Sequence, residues 1–167
     1  MSLCATLVFD WNRISAICRN PRCSHRLTDL FGKVTTVSCT NRYWNSSDPD
    51  YFTACLCNAR LEFAQGLVAE VVYGKGEVFW HGDRTFEIHG DRGTLIFAGK
   101  GTLIRDNKRQ EIAVPSRRGL LARDTTLVLD YLANNNSLYV SPQASLYALQ
   151  VADAARIASA TKQIVLV

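Results

Sequence analysis

Residues 84–97, RTFEIHGDRGTLIF, constrain the fold of this sequence more than any other stretch. Phe86, Ile88, Thr94 and Ile96 alternate with their neighbours at the period of a strand. Gly90, Asp91 and Gly93 between them carry the chemistry of a tight reversal. The segment therefore reads as an antiparallel hairpin.

The sequence on either side extends that pattern. From Lys33 the period is two, with Val34, Thr36, Ser38 and Thr40 on one side and Thr35, Val37, Cys39 and Asn41 on the other. Residues 45–50, NSSDPD, are turn formers throughout. A second strand is expected over 52–63 and a third over 67–73. Ala64, Gln65 and Gly66 connect them, a link short enough for an antiparallel pair. Gly74, Lys75 and Gly76 then break the sheet. Further strands are expected at 101–105 and 109–114, and a short one at 164–167. Two helices follow the meander. The first, over 120–133, has Leu120, Leu127, Val128, Tyr131 and Leu132 on one face and ends at Asn134, Asn135 and Asn136. The second starts with Ser141 as N-cap and Pro142 in the first turn, and runs to residue 161. It carries Tyr147, Val151, Ala154, Ile157 and Ala158 along one side. Closely spaced strands followed by helices define an α+β fold: a mostly antiparallel sheet of about six to seven strands with two C-terminal helices packed on one face.

Residues 31–167 are expected to form this domain, and residues 1–30 a separate extension. In the extension Leu3, Leu7, Val8, Trp11 and Ile14 fall near helical spacing, and residues 19–26 read as a loop around Pro21. The apolar share, 47%, is enough to bury a core. A net charge of +4 fits an anionic ligand and does not require nucleic acid. No apolar run is long enough to cross a membrane. The N-terminal apolar residues have no basic stretch before them and are interrupted by Asp10 and Arg13, so no signal peptide and a cytoplasmic location are expected. Of six cysteines, Cys4, Cys39, Cys55 and Cys57 lie in apolar or strand-like sequence, where a thiol acts as a small hydrophobe.

Several chemistries are poorly matched. Cys18, Cys23 and His25 are too loosely spaced for a four-ligand zinc site, so no metal is expected. Cys55 and Cys57 share one face of a strand and read as core rather than as a redox pair. The glycines of residues 90–101 separate strands, whereas a dinucleotide fingerprint must open a helix after a parallel strand. No cofactor site is therefore expected in this chain. Lys100, Arg105, Lys108, Arg109, Arg117 and Arg118 are interleaved with Asp106, Glu111 and Asp124 and lack alternating aromatics, unlike a nucleic-acid surface. His81, in FWHGDR, and His89, at the end of the hairpin's first strand, are the histidines placed for acid–base work. A strand histidine of this kind is as a rule a hydrogen-bonded structural residue. No serine or cysteine has a nucleophile elbow around it, so no catalytic set is assigned.

Arg42, Tyr43 and Trp44 combine a cation with two large aromatics before a polar loop. On an exposed sheet face they would grip a sugar or an acid by stacking and paired hydrogen bonds. Alternatively, the two rings cap the core and Arg42 reaches to water. The candidate site residues are thus Arg42, Tyr43, Trp44, His81 and His89, for a small polar ligand.

Three segments in order resemble one family. DLFGKVTTVSC is similar to the lead-in to its first sheet strand, FEIHGDRGTLIF to its glycine-turn hairpin, and residues 123–167 to its two closing helices. The family is the Gfo/Idh/MocA oxidoreductases, and the likeness covers the C-terminal domain, over residues 29–162. The resemblance implies an N-terminal Rossmann domain that binds NAD or NADP, with a lysine of a Glu-Lys-Pro motif and a downstream Asp and His doing the chemistry. None of those motifs occurs here, so no catalytic residue carries over. What the likeness implies is a free-standing substrate-binding or oligomerisation domain without hydride transfer of its own. The alternative is a component of an NAD(P)-dependent sugar or cyclitol dehydrogenase, completed by a separate Rossmann domain that brings the nucleotide. Its expected partners are a second copy through the open sheet face or that Rossmann domain.

Overall fold

In the computed structural model the described residues are 4–10, 21–45, 52–79, 84–114, 116, 118–138 and 140–167. For residues 4–10, 21–25 and 84 only the backbone is considered. Nine strands form one sheet, in the order β8-β7-β6-β5-β1-β4-β3-β2-β9. They are β1 (Cys4–Asp10), β2 (Val34–Trp44), β3 (Ala54–Phe63), β4 (Val68–Gly76), β5 (Arg84–Gly90), β6 (Gly93–Ala98), β7 (Lys100–Arg105), β8 (Lys108–Ile112) and β9 (Val165–Leu166). Three helices accompany them: α1 (Pro21–Phe31), α2 (Leu120–Asn134) and α3 (Pro142–Thr161). The α+β class and the dominance of antiparallel pairing agree with the sequence pattern.

The extra strand in the middle is the main departure. Residues 4–10 are strand β1, where helical spacing was expected. β1 pairs parallel with β4 (Cys4↔Val68) and antiparallel with β5 (Cys4↔His89), so β4 and β5 are not neighbours and the meander is interrupted. A short apolar run such as CATLVFD does not distinguish strand from helix by its own periodicity; two sheet edges waiting on either side decide it. Residues 21–26, expected as loop, form the first turns of α1, with Pro21 at its start, where a missing N–H costs nothing.

The core lies between β2–β4 and the helices α1 and α3. Cys55, Cys57, Ala59, Leu61 and Phe63 of β3 and Ala69, Val71 and Tyr73 of β4 all point to that side and are buried. Leu27 of α1 is fully buried among them, and Phe31 meets Phe63 edge-on at 5.9 Å between ring centres. α3 presents small residues, Ala148, Val151, Ala154, Ala155 and Ala158, which let it approach the sheet closely. Ile157, placed on that side by spacing, is instead partly exposed. Tyr147 pins the helix to β2: its hydroxyl accepts from Val34 N–H (2.8 Å) and lies 3.3 Å from the Val34 carbonyl oxygen. Ser141 caps α3 by accepting from Ala144 N–H at 3.0 Å, as its sequence indicated.

Two details correct the sequence reading. A bulge between Val34 and Thr36 resets the register of β2, so Val34 joins Val37 in the core rather than sharing a face with Thr36. Of the two closing helices, only α3 packs into the sheet. α2 begins and ends where expected, with Asn135 in the left-handed conformation after it, yet none of its residues is buried. The buried cysteines are thiols, and Cys39 Sγ lies 3.5 Å from Cys57 Sγ.

Candidate functional site

Residues directly opposite each other on paired strands share a face. Away from the helices, Ser38, Thr40, Arg42 and Trp44 of β2 stand opposite Arg60, Asn58, Leu56 and Ala54 of β3. These in turn stand opposite Glu70, Val72, Gly74 and Gly76 of β4. The register continues through β1: Thr6 faces both Glu70 and Glu87, and Cys4 faces both Val68 and His89. One broad open face results, polar over much of its area.

At one corner the Arg42 guanidinium carbon lies 4.9 Å from the centre of the Trp44 ring. Trp44 meets Phe79 edge-on, with centroids 6.0 Å apart and planes at 87°. Phe79 reaches the sheet because Gly74 beneath it has no side chain: a Cβ there would lie 2.6 Å from the phenyl ring. A cation, an indole and a phenyl ring are thereby held together on the open face, offering a positive charge beside two aromatic rings set edge to face. Tyr43 is not part of it. Alternation turns it to the helix side, where its ring lies 5.3 Å from Phe52 and its hydroxyl accepts from Asn41 Nδ2 at 3.2 Å. The cluster is thus split between faces: Arg42 and Trp44 lie on the open one, and of the two rings only Tyr43 caps the core.

The middle of the face is charged. Arg60 donates to Glu62 at 3.3 Å and to Glu70 at 3.1 Å, and these hydrogen bonds raise its pKa above the ordinary arginine value. Beside it, at the β2 edge, a cavity of about 330 Å³ opens between Ser38, Thr40, Asn58 and Arg60 on the face and Lys162 and Gln163 beyond α3.

His89 lies on the same face at the far end. Its Nε2 is 3.1 Å from Glu87 Oε2 and its Nδ1 is 3.2 Å from Thr94 Oγ1. A carboxylate only accepts, so Nε2 donates to Glu87, and in the tautomer that carries its proton there Nδ1 accepts a hydrogen bond from the Thr94 hydroxyl. With both nitrogens engaged, His89 braces the β5–β6 hairpin. By register it stands about 20 Å along the strands and about 19 Å across them from Arg42, so the two do not form one site. His81, Cys18 and the side chains of Cys23 and His25 lie outside what is described. Among the described residues no cluster of three metal-ligating side chains occurs, and no helix is long and apolar enough to cross a membrane. Lys100 pairs with Glu111 at 3.2 Å and Arg105 with Asp106 at 3.6 Å, which balances those two basic residues of the β7–β8 hairpin.

Sequence reasoning passed over Asn58, Arg60 and Glu70, although strict alternation in β3 and β4 identifies them. Phe79 lies beyond β4, where no period points to it.

This sheet, backed by α1 and α3, defines a class. A profile described as the C-terminal alpha/beta domain of the Gfo/Idh/MocA oxidoreductase family matches residues 24–167, and the chain belongs to that family. A particular relative stands out: the biliverdin reductase of Synechocystis sp. PCC 6803, solved with biliverdin and NADP+. It is 43% identical over 96% of this chain, with a TM-score of 0.82, and the match spans 55% of the relative. A putative oxidoreductase of Thermotoga maritima (16% identity, 99% of this chain and 54% of that one, TM-score 0.74) shares the fold. So does an oxidoreductase of Agrobacterium radiobacter solved with NAD+, L-tartaric acid and magnesium (14%, 98% and 56%, TM-score 0.74). The chain thus spans about half the length of the solved relatives it matches. No curated protein sequence matches it.

Proposed function

We propose that this chain is the substrate-side sheet domain of an NADP-dependent bilin reductase, and that it binds an open-chain tetrapyrrole without transferring hydride itself. The observation that carries this reading is the 43% identity to the reductase solved with biliverdin, against 14–17% for relatives of sugar and acid chemistry such as levoglucosan dehydrogenase. The Arg42–Trp44–Phe79 corner supports it. A pyrrole ring stacks on one of these two perpendicular rings, and a propionate pairs with a guanidinium that has no ion pair among the described residues. The nucleotide belongs to a separate Rossmann domain: residues 11–20, which follow the parallel strand β1, contain no glycine to approach a pyrophosphate.

The test is a titration of biliverdin with the chain, read by visible absorption and induced circular dichroism. Binding is expected, weakened about tenfold or more by Arg42→Ala or Trp44→Ala. NADPH added to the chain alone should give neither binding nor reduction. An unchanged bilin spectrum, or NADPH consumption by the isolated chain, overturns the reading. Self-association across the open face, the other partnership the sequence points to, would join polar surfaces. Sedimentation should then show a dimer that weakens at high salt.

A further inference from the structure

We infer, resting on the reading above for the ligand, that Gly74 is a positioning residue of the binding corner: it seats Phe79, and Phe79 fixes the ring of Trp44. A glycine inside a strand weakens that strand, so its presence in β4 has a cause elsewhere. Backbone conformation is not the cause, because φ is positive at Gly76 and not at Gly74. Main-chain crowding is not the cause either. The three atoms nearest to a Cβ at Gly74 would all belong to one ring: Cε1, Cζ and Cδ1 of Phe79, at 2.6, 2.8 and 2.9 Å. The missing side chain serves Phe79.

The chain after β4 delivers that ring. Phe79 N–H donates to the Gly76 carbonyl at 3.2 Å, and Glu77 N–H donates to the Thr53 carbonyl at 3.3 Å. Residues 76–79 thereby turn back over the strand end, and Phe79 stands between Gly74 and Trp44. The corner is packed: Ala54, opposite both Trp44 and Gly76, is fully buried, whereas Asn58 and Arg60 along the same face are exposed. Carbon atoms meet at about 3.5–4.0 Å, so a methyl group at position 74 would push the ring off by about 1 Å. A packed corner does not absorb such a shift without moving the Trp44 ring, and with it the surface on which Arg42 lies.

The experiment is a double-mutant cycle of Gly74→Ala and Phe79→Ala in the full chain. Near-UV circular dichroism without ligand reads the setting of Trp44, and Trp44→Phe marks the share of the spectrum that belongs to it. A biliverdin titration reads the site. Each single variant is expected to lose the Trp44 band and to weaken biliverdin about fivefold or more. The double variant is expected to do no worse than Phe79→Ala alone in affinity and in Tm, because no ring is left to displace. A Gly74→Ala chain with the parent's Trp44 band and affinity overturns the inference, as do losses that add in the double variant. Should Gly74→Ala fail to fold, recovery of folding in the double variant supports the inference, and failure of both overturns it. Dichroism and Tm need no ligand. A parent chain that does not bind biliverdin therefore sinks the reading above, while the cycle still decides whether Gly74 seats the Trp44–Phe79 pair.

Discussion

The β2–β4 half and the β5–β8 half of one continuous sheet are shielded very differently. In the first, every second residue of β3 is buried under α1 and α3, from Cys55 to Phe63. In the second, Phe86, Leu95, Phe97 and Leu103 are apolar too, yet each stays partly exposed, and of the described residues there Gly101 alone is buried. Phe86 and Phe97 stack at 6.2 Å but stay partly exposed, and no helix of the described residues closes over them. Strand formation therefore needs only pattern and turns, while a core needs a second layer, and among the described residues the second layer covers half the sheet.

The contrast can be tested by mutation. The largest effect is expected at Leu67→Ala or Leu61→Ala, fully packed on the helix side: a loss of about 3 kcal/mol by denaturant titration. Leu103→Ala should cost about 1 kcal/mol, and equal losses would break the comparison. Next comes Gly76→Ala. With φ at 110° and a Cβ 2.2 Å from the Thr53 carbonyl oxygen, it should cost about 2 kcal/mol or more, because the β3–β4 end must shift. Gly66→Ala, with φ at 86° but open space around it, should cost about 1 kcal/mol and separates strain from collision. Tyr147→Phe, which unpairs Val34 N–H from α3, is expected to lose about 1 kcal/mol. Native-state amide exchange sharpens the comparison without mutation: β3 should exchange near the global limit and β8 earlier.

Much of this was legible in the sequence. The hairpin glycines and the Ser141–Pro142 helix start act through local backbone chemistry, and each lies where its residues put it. What failed depended on distant partners. β1 is a strand because β4 and β5 flank it, not because of its own spacing. Val34 turned inward through a bulge that alternation cannot encode. At the site, alternation separates Tyr43 from Arg42 and Trp44 once the face of one neighbour is known, but Phe79 arrives from a turn and is found only in three dimensions. The helical pattern of α2 located the helix correctly and left open whether anything would cover it.

The central position of β1 has a consequence for handling this protein. Without those seven residues, β4 and β5 would border a slot one ribbon wide, about 10 Å across, with unsatisfied amides and carbonyls on both rims. Such a slot accepts any passing extended segment, including the same segment donated by a neighbouring molecule. Clipping the chain near its start is then a route to intertwined pairs and fibres.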